Sequence, residues 1–180
     1  MRIIAGSRKG ARILAPKGLD TRPTGDRVRE AVFNLVGPVD GVEVLDLYAG
    51  SGAMGLEALS RGAARVTFVE SERAAAETIL ANLDKLRLEG AVVLRDDAAR
   101  KLAADAAGGR RYDLVLVDPP YRMLARILPT LASSLPAVVR PDGLVVVESG
   151  AGEEPELPLA KRTSRRYGAA RVTVFESPEA

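Results

Sequence analysis

From residue 43 onward, short apolar runs alternate along the chain with longer amphipathic stretches. The short runs predict strands near 43–48, 65–70, 91–95, 112–117 and 143–148. The stretches between them predict helices near 53–61, 72–87, 98–105 and 122–134. This alternation is typical of βαβ units, which build a parallel sheet covered by helices on both faces.

The last part of the chain departs from this alternation. Residues 161–167 and 171–176 flank the turn Gly168-Ala169-Ala170 and predict an antiparallel hairpin. Such a hairpin would end the sheet on a reversed strand. We therefore predict an α/β, Rossmann-like fold with a seven-stranded, mostly parallel sheet.

The start of the chain predicts a small extension in front of this sheet. Residues 2–4 and 11–14 predict a β-hairpin whose turn carries Arg8 and Lys9 at its tip. Residues 15–25 contain two prolines and two glycines and predict an irregular linker. The hairpin would hold its cations at an exposed end.

Residues 26–36 carry apolar side chains at helical spacing and predict an amphipathic helix. Asp26 is placed to serve as its N-cap, and Gly37-Pro38 ends it. The chain divides accordingly into an N-terminal extension, 1–25, and a main domain, 26–180.

Composition removes several classes of function. The chain has 180 residues, 47% hydrophobic and 28% charged, as expected of a soluble domain. No apolar run approaches the ~20 residues that span a bilayer, and no signal peptide is recognisable, so we expect a cytoplasmic protein without a membrane partner. A monomer is the expected state, although the sequence does not settle it. Cysteine and histidine are absent, which excludes disulfides, Cys/His zinc sites, Ser-His-Asp triads and cysteine nucleophiles. We expect no metal cofactor.

The segment VLDLYAGSGAMGLEAL, residues 44–59, predicts a cofactor site. Its glycines, Gly50, Gly52 and Gly55, fit the G-x-G-x-x-G spacing at a strand-to-helix turn. Asp46 precedes this loop and would repel the pyrophosphate of a dinucleotide. A carboxylate there suits S-adenosylmethionine (SAM), which presents an ammonium, a sulfonium and a ribose. The segment therefore indicates a SAM-dependent methyltransferase.

Acids also follow two further strands. Glu70 ends the second strand, where an acid commonly binds ribose hydroxyls. Asp96 and Asp97 end the third, and one of them, preferably Asp97 beside Ala98, could accept a hydrogen bond from the adenine amino group. A solvated strand end is the alternative explanation for each of these acids.

The tetrapeptide Asp118-Pro119-Pro120-Tyr121 follows the fourth strand and predicts the reaction centre. The first and fourth strands should flank the reversal of strand order, so this turn should open beside Gly50. An amino group on a base is a poor nucleophile because its lone pair is delocalised. Acceptors at Asp118 and at the Pro119 carbonyl would draw the nitrogen towards tetrahedral geometry, and Tyr121 would stack on the base.

The first 29 residues carry eight Lys and Arg but only two acids. This excess predicts a phosphate-binding surface, although a solvated charged face explains it equally well. We expect Arg8, Lys9, Arg12 and Arg22 to contact nucleic acid. Lys161, Arg162, Arg165 and Arg166 either extend this surface or protect a terminal strand.

Three stretches together resemble the RsmD family of small-subunit rRNA guanine-N2 methyltransferases. They are Arg22-Pro23-Thr24 with DRVRE and Phe33-Asn34, then LDLYAGSGAMGLEALSRGA, then VDPPY. The similarity covers nearly the whole chain. It implies a class I methyltransferase acting on one guanine of 16S rRNA, in an assembled or assembling 30S particle.

The resemblance also implies roles for individual residues. SAM, and its product S-adenosylhomocysteine, would contact Asp46, Gly50, Ser51, Gly52, Glu70, Asp97 and Ala98. The turn from Thr24 to Arg27 would close over the methionine end, and Asp118 to Tyr121 would hold the guanine. Gly25 and Ala5 depart from the family pattern, where a threonine and a glycine are expected.

Three alternatives stay open. The acceptor could be another RNA amino group or adenine N6 of DNA, although a chain this short leaves no room for a separate DNA-recognition region. The glycine loop could serve a nicotinamide oxidoreductase, against which Asp46 and the DPPY turn both argue. The protein could also be a non-catalytic rRNA-binding assembly factor.

Overall fold

A computed structural model describes residues 1–16 and 25–177. The helices are α1 (Asp26–Val36), α2 (Ala53–Ser60), α3 (Arg73–Leu86), α4 (Ala98–Gly108) and α5 (Tyr121–Val138). The strands are β1 (Glu43–Leu47), β2 (Arg65–Val69), β3 (Ala91–Leu94), β4 (Tyr112–Val117), β5 (Val139–Gly150), β6 (Ala160–Tyr167) and β7 (Ala170–Glu176).

The strands form one seven-stranded sheet in the order β3-β2-β1-β4-β5-β7-β6. Strands β1 to β5 pair in parallel, while β7 runs antiparallel to both β5 and β6. The strand order reverses between β1 and β4. The predicted mostly parallel sheet, its terminal hairpin and the position of its reversal are confirmed.

Side chains of the central strands alternate between two cores, as the pleat of a strand requires. In β4, Leu114 and Leu116 belong to the first core, and Val115 and Val117 to the second. The first core is covered by α1, α2, α3 and the N-terminal segment (residues 1–16), and the second by α4 and α5. Strands β1, β2, β4 and β5 are therefore covered on both faces, which explains their nearly continuous apolar runs, whereas the edge strand β3 leaves Val92 exposed.

The predicted N-terminal β-hairpin is confirmed in its pairing, because the backbone N–H of Ile3 donates to the Ala11 carbonyl oxygen and that of Gly10 donates to the Ile3 carbonyl oxygen, both at 2.9 Å. A single antiparallel bridge joins Arg2 to Arg12, and a 3-10 helix occupies Gly6–Arg8. The pairing is shorter than predicted because the backbone N–H groups of Ile4 and Ala5 donate to the Glu57 carboxylate of α2, at 2.8 and 2.9 Å, and not to a facing strand.

The N-terminal segment packs closely on the main domain. Ile3 and Ile13 are buried in the first core. Gly6 has a φ of 83°, and a Cβ atom there would lie 1.8 Å from the Ser60 carbonyl oxygen. Only glycine allows this approach. The division of the chain at residue 25 stays a prediction, but the described part of the extension shares the core of the main domain.

Two helix ends also differ from the predictions. The N-cap of α1 is Gly25, and Asp26 is the first helical residue; its carboxylate accepts hydrogen bonds from Arg2 and Arg29. Helix α5 continues to Val138 although it contains Pro129 and Pro136. A proline costs one backbone hydrogen bond, but Leu131, Leu135 and Val138 continue the buried stripe of this helix and offset that loss.

Within the part of the chain that the structure describes, no helix is both long and apolar enough to cross a membrane.

Candidate cofactor and nucleic-acid site

Four acids lie at the carboxyl ends of adjacent strands on one face of the sheet. Asp46 of β1 pairs with Phe68 of β2 and Leu116 of β4, and Leu116 pairs with Val146 of β5. Two residues further along those three strands come Glu70, Asp118 and Glu148, here called the acid row. Because side chains alternate with a period of two, the acid row belongs to the same face as Asp46.

The glycine loop after β1 is held by two of these acids. Glu70 accepts hydrogen bonds from the backbone N–H of Gly50 and of Glu72, both at 2.8 Å. Asp46 accepts one from Gly55 in the first turn of α2, at 2.9 Å. The two acids therefore fix the backbone of the loop and of the first turn of α2 through three hydrogen bonds.

Backbone conformation requires glycine at two positions of the loop, and close packing requires it at the third. Gly50 and Gly52 have φ values of 56° and 79°, in the left-handed region that favours glycine. Gly55 is helical, but a Cβ atom there would lie 2.3 Å from the Phe68 ring. Its absence lets α2 pack against β2, which is the role of the third glycine in this type of turn.

The electrostatics at Asp46 favour a positively charged ligand. Its side chain is 1% exposed. Burial raises the pKa of Asp46 to about 8; the Gly55 N–H opposes this rise, and the negative charges of Asp118 and Glu70 add to it. A cation bound among these carboxylates would relieve their repulsion, whereas a pyrophosphate would increase it.

Asp118 to Tyr121 open beside the glycine loop. The backbone N–H of Asp118 reaches the Leu47 carbonyl oxygen at 3.5 Å, which extends the pairing of β4 with β1. Pro119 is buried, and Pro120 is the N-cap of α5. The tetrapeptide therefore lies at the β1/β4 reversal, as the sequence predicted.

The Tyr121 hydroxyl donates a hydrogen bond to Glu148 Oε1 at 3.0 Å. Sequence reasoning did not single out Glu148. Its signal was nevertheless present, because Glu148 ends the apolar run Leu144–Val147 much as Asp118 ends Leu114–Val117.

Two further residues of the site were missed. Tyr48, between Asp46 and Gly50, has a φ of 59°, which is strained for a residue with a side chain. Asn82 of α3 is fully buried; its amide exchanges hydrogen bonds with the backbone of Leu14 and donates one to the Ser51 carbonyl at 3.2 Å. Asn82 therefore joins the N-terminal segment to the glycine loop.

The acids after β3 have structural partners. The Asp97 carboxylate accepts from the Arg100 backbone N–H at 2.8 Å and caps α4. Asp96 pairs with the Arg100 side chain, whose hydrogen bond lowers the pKa of Asp96. Ala98 is buried in the second core. A role for Asp97 and Ala98 at adenine stays a prediction.

The predicted nucleic-acid residues have different surroundings. The Arg8 guanidinium donates to the carbonyl oxygens of Leu86 and Arg87, at the carboxyl end of α3. Lys9 and Arg12 are exposed, and Arg22 lies outside the described residues. Of the two residues predicted to close over the methionine end of SAM, Arg27 is exposed and Thr24 lies outside the described residues. Among the residues that the structure does describe, no group of three acids could hold a metal ion.

The sheet order, its reversed final strand and the glycine loop at the β1/β4 reversal together define the class I methyltransferase fold. The model of a family described as conserved hypothetical protein 95 matches residues 1–176 of the chain. The chain belongs to this family, the RsmD family of methyltransferases.

Individual relatives agree with this assignment. The chain is 39% identical over 184 aligned residues to YlbH of Bacillus subtilis, with 98% of each sequence covered. It is 43% identical over 123 residues to ribosomal RNA small subunit methyltransferase D of Escherichia coli, which covers 68% of this chain and 61% of that protein. The structure of the Escherichia coli protein yhhF superposes with a TM-score of 0.84 at 33% identity, covering 100% of this chain and 99% of the other.

Proposed function

We propose that this protein transfers a methyl group from SAM to the exocyclic N2 of a guanine in 16S rRNA. One observation carries the proposal: the Asp118 to Tyr121 turn lies beside a glycine loop backed by buried acids. A chain of the RsmD family needs both parts, one for the acceptor base and one for the cofactor. The Escherichia coli relative is named for the same reaction class on the small-subunit rRNA.

The cofactor would lie over the glycine loop. SAM supplies an activated methyl group when it is bound. Gly50, Ser51 and Gly52 allow its close approach, Asp46 supplies the negative charge for a cationic group, and Glu70 is placed for the ribose. Glu70 already holds the loop through Gly50, so the residue would shape the site and contact the ligand together.

The reaction needs little acid–base chemistry from the chain. Asp118 and the Pro119 carbonyl would accept hydrogen bonds from the amino group and aim its lone pair at the methyl carbon. The methylated nitrogen is acidic and loses its proton to Asp118 or to water. Alignment and charge placement in a closed site then supply most of the acceleration.

Exposed cations would bind the rRNA backbone. Lys9 and Arg12 lie on the N-terminal segment, and Arg162 and Arg165 are exposed on the edge strand β6. The substrate guanine must leave its stack before it can enter the site. An assembled or assembling 30S particle, which presents a fixed rRNA surface, is the substrate that we propose.

The testing experiment measures transfer of labelled methyl from SAM to 30S particles that lack the modification, beside naked 16S rRNA and duplex DNA. Label on guanine N2 of the particle supports the proposal. Label only on DNA would instead indicate an adenine N6 methyltransferase. SAM binding without transfer to any of the three would indicate an assembly factor.

The variant Asp118→Ala tests the assigned chemistry. We expect transfer to fall by about 1000-fold, because an acceptor placed on the reacting group is lost, while SAM binding by calorimetry is retained. Asp84→Asn, at an exposed position of α3, is the matched control. Near-normal turnover by Asp118→Ala would rule out this mechanism.

A further inference from the structure

We propose that Glu148 determines specificity for guanine by accepting a hydrogen bond from the N1–H of the target base. This inference rests on the proposed function and adds to it. The resemblance and the motifs assign Asp118 to Tyr121 to the base, whereas Glu148 has no role in either.

Glu148 lies beside Asp118 at the carboxyl end of the neighbouring strand. It follows Val147, which pairs in parallel with Val117, so it comes next to Asp118 on the neighbouring strand. Both belong to the acid row and share one face of the sheet. The backbones of neighbouring parallel strands lie about 5 Å apart, a spacing at which two side chains on one face can reach adjacent atoms of one base.

The side chain of Glu148 is restrained by burial, by strand pairing and by a hydrogen bond from Tyr121. Glu148 is 8% exposed, and its backbone is held in the ladder between β5 and β7 by the pairing with Val172. Tyr121, the residue predicted to stack on the base, donates its hydroxyl to Glu148 Oε1 at 3.0 Å. The stacking ring and the carboxylate are therefore positioned as one unit.

Guanine and adenine differ at N1, the ring atom next to the amino group that would be methylated. On guanine, the N2 amino group lies next to N1–H, so the edge presents two adjacent donors. On adenine, the N6 amino group lies next to N1, which is an acceptor. Asp118 and the Pro119 carbonyl would accept from either amino group, and they cannot tell the two bases apart. A second carboxylate facing N1 accepts from guanine and repels adenine.

The surroundings strengthen this discrimination. A site built to hydrogen-bond a donor rejects an analogue without it, because buried polar groups are left unpaired. Glu148 can accept but cannot donate while it is ionised. The DPPY turn alone thus serves amino-methyltransferases in general, and Glu148 restricts this one to guanine.

The experiment replaces the guanine that the wild-type protein methylates with 2-aminopurine in reconstituted 30S particles. 2-Aminopurine keeps the amino group at C2 but has an acceptor at N1. Wild-type protein, Glu148→Gln and Glu89→Gln are compared by kcat/KM on both substrates. Glu89 is exposed between α3 and β3, away from the carboxyl ends of the strands. The loss of O6 in 2-aminopurine is common to all three proteins and cancels in the comparison.

We expect the wild-type protein and Glu89→Gln to prefer guanine by about 100-fold. Glutamine can donate to the N1 acceptor, so Glu148→Gln should lower kcat/KM on guanine and reduce the preference to about 10-fold or less. SAM affinity should not change. An unchanged preference in Glu148→Gln would overturn the inference.

The wild-type protein alone provides a second test, because equal turnover of guanine and 2-aminopurine would overturn the inference even if Glu148→Gln did not fold. Failure of the proposed function is distinguishable: the wild-type protein would then transfer no methyl group to guanine at all.

Discussion

Two buried acids on the same side of the sheet, Asp46 of β1 and Glu57 of the covering helix α2, have opposite surroundings. Glu57 accepts from the backbone of Ile4 and Ala5 and from Arg61 at 2.8 Å, with buried Arg29 at 3.9 Å. Within residues 1–16 and 25–177, Asp46 accepts one hydrogen bond, from Gly55, and has acids as charged neighbours.

The difference separates a structural site from a binding site. At Glu57 the chain itself supplies the donors and the positive charge, so the N-terminal segment is held on α2. At Asp46 the folded chain supplies one hydrogen-bond donor and only like-charged neighbours, so the ionised form of this carboxyl is disfavoured. A buried carboxylate of this kind lowers stability, and a cationic ligand can restore it.

The largest expected effect is the loss of the compensated acid. Glu57→Gln keeps the shape of the side chain but places an amide N–H₂ among backbone and guanidinium donors, and it leaves Arg29 without its buried anion. We expect the free energy of unfolding to fall by about 3–5 kcal/mol, measured by urea denaturation. The N-terminal segment should also become sensitive to protease.

Glu77→Gln is the matched control for Glu57→Gln, because Glu77 forms an exposed pair with Arg73 on α3. Its loss should cost less than about 0.5 kcal/mol. Equal effects of the two variants would show that the network around Glu57 does not hold the segment.

Replacing Asp46 should change the free energy of unfolding in the opposite direction to replacing Glu57. Its pKa is raised from 3.8 to about 8 on folding, so the native state binds the proton more tightly than the unfolded state does. Its contribution to stability is therefore present below pH 4 and is lost as pH rises towards 8. Asp46→Asn removes this slope, and we expect it to stabilise the ligand-free protein at pH 8 but not at pH 4, measured by urea denaturation at both pH values.

The affinity for SAM gives the reciprocal measurement. A cationic ligand favours the ionised form of Asp46, so affinity should rise with pH up to the pKa of about 8, with proton release detected by calorimetry in two buffers. Asp46→Asn should bind SAM more weakly and without this dependence. A flat pH profile of the wild-type protein would contradict the assignment of Asp46 to the cationic group.

Asn82 connects the N-terminal segment to the glycine loop. Its replacement should therefore lower both the stability of the protein and its affinity for SAM, each moderately. Asn82→Asp keeps the acceptor for Leu14 but loses the donors to the carbonyl oxygens of Leu14 and Ser51. We expect a loss of about 1–3 kcal/mol in stability and a several-fold loss in SAM affinity. Asn34→Asp, exposed on α1, is the control. A change in stability alone would show that Asn82 does not act on the glycine loop.

The smallest effects are expected at Arg8 and Lys9. They should distinguish a residue that stabilises the fold, Arg8, from one that binds RNA, Lys9. Arg8 caps α3, so Arg8→Ala should lower stability by about 1 kcal/mol. Lys9→Ala with Arg12→Ala should leave stability unchanged and reduce the slope of log binding constant against log salt by about 2. An unchanged salt slope would show that this surface does not contact RNA.

The sequence by itself determined the alternation of strands and helices, because burial on both faces imposes apolar runs of characteristic length. It also determined the glycine loop and the DPPY turn, since both are local motifs whose residue types and spacing fix the backbone. Asp46 and Asp118 were found for this reason. The N-terminal hairpin is shorter than predicted because the backbone N–H groups of Ile4 and Ala5 donate to a side chain more than fifty residues away.

Only the tertiary structure decided what each charge does. Arg8 and Lys9 are neighbours in the sequence, yet one caps a helix and the other faces solvent, because α3 passes beside Arg8 alone. Glu148 and Asn82 gained their positions from strand register and from packing between distant elements. Hydrophobic burial can be predicted from the local pattern of apolar residues. Hydrogen-bond partners and like-charge contacts, in contrast, depend on which distant segments the fold brings together.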